Sequence, residues 1–78
     1  MRHHANLIGP KIGKLRYARG WTQDVLAAKL QILQCDISRD VVANIENRRS
    51  VATDKHCYFL AKVFNVSIDE LFRPWIGV

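Results

Sequence analysis

The chain has 78 residues, 49% of them hydrophobic, with 12 Lys and Arg against 7 Asp and Glu and a net charge of +5. That length suits one domain, and a domain of this size buries only roughly 60% of its unfolded surface. The composition argues against a disordered chain, two cysteines make no disulfide framework, and no apolar run reaches the ~20 residues of a membrane span.

Residues 1–8 read as a flexible N-terminal segment. Met1-Arg2-His3-His4 is basic, but no apolar signal region comes after it. The expected location is cytoplasmic, with thiols reduced. His3 and His4 read as a mobile polar terminus ahead of a metal site.

Residues 9–73 read as the domain, built from five short helices with no period-2 run that would make a strand. The first opens at Gly9-Pro10, where proline suits the first turn. Ile12, Leu15 and the stem of Arg19 line its inner face, and Gly20 closes it. Thr22 caps the second, which carries Leu26, Leu30 and Leu33 at i, i+4 and i+7. Gln34-Cys35-Asp36-Ile37 reads as a turn, and Ser38 caps the third helix.

That third helix divides into two faces at about 100° per residue. Val41, Val42 and Ile45 fall on one side; Arg39, Asp40, Ala43, Asn44 and Asn47 fall on the other. A polar loop runs from Asn47 to Ala52. Thr53-Asp54 opens the fourth helix, whose Cys57, Leu60, Ala61 and Phe64 form one stripe, and Asn65 suits its left-handed close. Ser67-Ile68-Asp69-Glu70 reads as a capping box for a short fifth helix. Pro74 bars any continuation of that helix. Residues 74–78 form an apolar tail, and Phe72, Trp75, Ile76 and Val78 either fold back or form a dimer contact.

The polar front of the third helix carries the chemistry of base recognition. Arg39, in the first turn, can bridge guanine O6 and N7, worth roughly 1–3 kcal/mol of discrimination; its plainer roles are a solvated or phosphate-bound arginine. Asn44 can pair with adenine N6 and N7, and Ala43 is small enough to touch a thymine methyl. Asp40 can accept from cytosine N4, but a carboxylate facing a polyanion favours a helix-dipole role or a partnership with Arg39.

Several pieces in order match a known pattern: Arg16; Gly20-Trp21-Thr22-Gln23; Leu26-Ala27; Ser38 with Val42, Ile45 and Glu46; Leu60-Ala61; and Phe64 through Phe72. From Arg16 to Phe72 the chain resembles the Cro and lambda-repressor type of helix-turn-helix, also called the xenobiotic-response-element type. The resemblance implies an all-α, five-helix DNA-binding domain. It implies that Gln23 meets a phosphate, as the free N–H groups beside it also suggest. It also implies that Arg16 and Glu46 pair across the first and third helices, and that Trp21 is a core residue. Ser38, Asn47, Arg48 and Arg49 are the other candidate contacts to the DNA backbone, the two arginines adding salt dependence rather than sequence choice.

Three departures stand out. The stretch from Leu26-Ala27 to Ser38 is roughly five residues longer than the commonest pattern, more than one helical turn of ~3.6 residues. It reads as a lengthened second helix and a wider turn. Arg48 stands where glycine is usual, so the loop is expected to take another route. Cys57 replaces a larger aliphatic and reads as a small hydrophobe; a redox role for Cys57 or Cys35 is the alternative.

The expected function is a sequence-specific regulator on double-stranded DNA, of the phage-repressor or antitoxin kind, acting as a homodimer on half-sites about one helical turn apart. The rival is a protein-interaction module on the same fold, favoured by Asp36 and Asp40 near the front of the third helix. No nucleophile–base pairing, phosphate-cradling loop or metal-ligand spacing points to an enzyme, cofactor, metal or small-molecule ligand.

Overall fold

A computed structural model describes residues 7–73. It contains α1 (Gly9–Ala18), α2 (Gln23–Ile32), α3 (Arg39–Glu46), α4 (Asp54–Phe64) and α5 (Ile68–Leu71), with no strand among the described residues. Hydroxyls set the starts of the last four. Thr22, Ser38, Thr53 and Ser67 each accept from the backbone N–H three residues on, at 3.1–3.3 Å, which satisfies a donor that the helix cannot reach. α1 has no side-chain cap and relies on Pro10 in its first turn.

The true capping box is at α4, not α5. His56 Nδ1 accepts from Thr53 N at 3.2 Å while the Thr53 hydroxyl accepts from His56 N. At α5 the reciprocal arm is drawn off: the Glu70 carboxylate lies 2.7 Å from Lys11 Nζ, tying α5 to α1.

The first four helices end alike. At each, one residue turns left-handed: Gly20 (φ 71), Gln34 (φ 70), Arg48 (φ 60) and Asn65 (φ 57). Each is succeeded by an N–H that returns to a carbonyl of the last turn, from Trp21 to Arg16, Cys35 to Leu30, Arg49 to Asn44 and Val66 to Ala61. These are Schellman closures, and they satisfy carbonyls that the helix itself leaves open. Arg48 therefore does not reroute its loop. It adopts the glycine-like conformation, at a steric cost of roughly 1–2 kcal/mol for an L-residue.

The apolar stripes meet in one core. Ile12, Leu26, Leu30, Val42, Ile45, Leu60, Phe64 and Leu71 are all buried. Ile8 is only 2% exposed, so the packed chain begins inside the segment read as flexible. Between α2 and α3, Cys35 and Ile37 turn inward and join the core. Residues 33–38 thus form a packed connection, in which the turn read at 34–37 carries two core residues. Leu33 and Cys57 are half-buried. Trp21 stacks on Phe64 with ring centroids 5.5 Å apart. Arg19 is exposed, yet its guanidinium lies over both rings and donates to the Phe64 carbonyl.

Candidate nucleic-acid interface

α3 packs against α1 and α2. Its back is sealed: Val42 is 2% exposed and Ile45 1%, with Val41 half-buried. Arg39, Asp40 and Asn47 are exposed, and Ala43 and Asn44 are half-buried. The Ser38 hydroxyl serves as the N-cap through Val41 N. Asn44 has a second role through its backbone, because its carbonyl accepts from Arg49 N at 2.7 Å and from Ser50 N at 3.3 Å. Those bonds hold the start of the Arg48–Arg49 loop against the end of α3. Arg49 is exposed and Arg48 half-buried.

The C-terminal end of α3 is bolted to both neighbours. Arg16 Nε donates to Glu46 Oε2 at 2.7 Å, and Arg16 Nη2 donates to Oε1 at 3.0 Å. The remaining Nη1 donates to the Trp21 carbonyl at 2.9 Å. Gln23 Nε2 also donates to Glu46 Oε1, at 3.2 Å. One carboxylate therefore receives hydrogen bonds from α1 and α2 together. Both charged side chains are about nine-tenths buried, where such a pair holds because its hydrogen bonds are satisfied. Hydrogen bonding to Glu46 raises the Arg16 pKa still further above its ordinary value, against the opposing effect of burial.

Glycine makes this junction close. A Cβ on Gly9 would stand 2.3 Å from the Ile45 carbonyl oxygen and 3.1 Å from Arg48 Cγ. At Gly13 a Cβ would make only ordinary contact, 3.5 Å from Glu46 Oε1.

The N-terminal end of α3 is open. It borders a cleft of about 690 Å³ whose walls include Tyr17, Gln23, Asp24 and Arg39. Arg39 does not pair with Asp40; its nearest acid is Asp24 of α2, with Nε 3.9 Å from Oδ1. Asp40 lies in the first turn of α3, where a carboxylate complements the helix dipole. Tyr17 is 76% exposed beside the Arg16 guanidinium. Neither Tyr17 nor Asp24 was marked by sequence reasoning. Tyr17 was legible as an aromatic off the Ile12 stripe of its helix, whereas Asp24 gains meaning only from the long-range approach of α2 and α3.

Gln23 and Arg39 share the cleft, and Asn47, Arg48 and Arg49 gather at the other end of α3. Trp75, Ile76 and Val78 lie outside the described residues, and Phe72 is half-buried. No group of three His, Cys, Asp or Glu side chains able to hold a metal occurs among the described residues. No helix there is long and apolar enough to cross a membrane.

A helix-turn-helix family model matches residues 12–71, which takes in all of the elements that build this surface except the first turn of α1. The chain belongs to the helix-turn-helix family of the Cro and lambda-repressor type. Its general function is DNA binding of the transcription-regulator type. No curated protein and no solved structure matches the chain. In this helix-turn-helix protein the motif comprises α2, the packed 33–38 connection and α3.

Proposed function

We propose that this helix-turn-helix protein reads a specific duplex sequence by setting α3 into the major groove. The observation that carries the reading is the asymmetry of α3: a sealed apolar back and an open polar front led by Arg39. Arg39, Ala43 and Asn44 take the base edges. Asp40 complements the helix dipole at the groove's margin. Gln23, Ser38, Asn47, Arg48 and Arg49 take the phosphates, which position the helix without selecting sequence.

The protein acts as a transcriptional regulator of the phage-repressor or antitoxin kind. Two copies bind half-sites about one helical turn apart, with Phe72, Trp75, Ile76 and Val78 as the contact between them. Selection of bound duplexes from a random pool tests this directly. The expected product is a two-fold-related site bound in a salt-dependent manner. Arg39→Ala then removes roughly 1–3 kcal/mol of preference at one base pair, whereas Arg49→Ala weakens all sequences alike and lowers the salt slope by about one. Absent or salt-insensitive binding at low ionic strength overturns the reading.

A further inference from the structure

Asp24 is chemically out of place where it stands. The chain carries a net charge of +5, yet this carboxylate shares a cleft with Arg39, at the end of α3 that the proposed function sends toward a polyanion. Its position in the first turn of α2 explains why the helix tolerates it. It does not explain the approach of Arg39 to 3.9 Å.

The geometry of that approach is informative. At 3.9 Å the two groups attract without a hydrogen bond. The nearest guanidinium atom is Nε, so the carboxylate meets the stem side of the group and not the outer fork of Nη1 and Nη2, the edge suited to two parallel hydrogen bonds. A guanine presenting O6 and N7 can be engaged by that fork while Asp24 stays in place. A phosphate drawn to Arg39 from the same cleft meets a like charge instead.

We propose that Asp24 is a specificity-determining positioning residue, orienting Arg39 for two-toothed reading of a guanine and opposing its capture by phosphate. The inference rests on the DNA-reading function proposed above.

The test uses the full chain, a duplex carrying the selected site, variants of that site at the Arg39 base pair, and a random duplex of equal length. The proteins are wild type, Asp24→Asn, Asp24→Glu, Arg39→Ala and the double variant Asp24→Asn with Arg39→Ala. Asp24→Asn is expected to tighten random-duplex binding about fivefold at low salt, the equivalent of one charge interaction near 4 Å in water. It is also expected to reduce preference at the Arg39 base pair about threefold, within what an exposed charge pair can supply. Asp24→Glu retains most of that preference. In the Arg39→Ala background, Asp24→Asn causes no further loss of it.

A lowered Tm with unchanged base preference makes Asp24 a helix-dipole residue only and overturns the proposal. Equal loss of preference with and without Arg39 overturns it too. If the wild type itself shows no salt-dependent duplex binding, the functional reading falls and takes this role with it. If the wild type is selective and Asp24→Asn matches it, the role of Asp24 alone falls.

Discussion

The two ends of α3 are held by the same kind of interaction at very different strengths. At its last residue, Glu46 is buried and takes three hydrogen bonds from Arg16 and Gln23. At its first residue, Arg39 is exposed and only approaches Asp24, at 3.9 Å. A buried pair is costly to break because the survivor stays charged and dehydrated; an exposed pair contributes ~0–1 kcal/mol. The pair at the last residue of α3 therefore anchors the helix to both neighbours, whereas the pair at its first residue orients the Arg39 side chain without a hydrogen bond.

The most severe way to break this contrast is Glu46→Gln. It strands the Arg16 charge among α1, α2 and α3, and the expected loss is roughly 3–5 kcal/mol of stability in urea unfolding. Gly9→Ala attacks the same end through the backbone. The new methyl meets the Ile45 carbonyl, and the expected loss is about 1–3 kcal/mol, as for overpacking.

Smaller in size and opposite in sign is Gln34→Gly. It removes the left-handed cost of an L-residue and restores the chain entropy of glycine, for a net gain of roughly 0.5–1 kcal/mol in thermal unfolding. Arg48→Gly is expected to gain less, because the Arg48 stem packs against Gly9. That difference measures what the arginine contributes at the fixed end of α3.

The mildest test touches neither end. His56 accepts a backbone hydrogen bond through Nδ1, so the fold favours its neutral form. Burial, with the adjacent Lys55 charge, lowers its pKa below the ordinary 6.5. The unfolded chain thus takes up the proton first. The contribution of the cap is full above pH 6.5 and is lost as the pH falls through the lowered value of the folded state. His56→Gln keeps an acceptor at that position and is expected to flatten this dependence in denaturation curves below pH 6.5. Persistence of the full slope in that variant removes His56 as its source.

Local rules carried most of the architecture. A hydroxyl at Thr22, Ser38, Thr53 and Ser67 marks a helix start because the need it meets lies within three residues. The stripe of Leu60, Ala61 and Phe64 comes from helical spacing alone. The features that escaped are long-range. Lys11 withdraws the Glu70 carboxylate from its local cap. Cys35 and Ile37 sit in a stretch with turn composition, and only the core beneath makes them buried. Arg48 has poor left-handed propensity, but the bond from Arg49 N to the Asn44 carbonyl requires that backbone all the same. The site was legible in the same measure. The polar front of α3 emerges from the wheel, whereas the choice of Asp24 over Asp40 as the neighbour of Arg39 depends on how α2 crosses α3.

The near-touch of Gly9 and the Ile45 carbonyl brings the entry of the folded chain beside the exit of α3. The charge carried at position 7, two residues before Gly9, accordingly acts near Arg48 as a local electrostatic dial: a lysine there lengthens the residence time on a duplex, and a glutamate shortens it, with α3 itself unaltered.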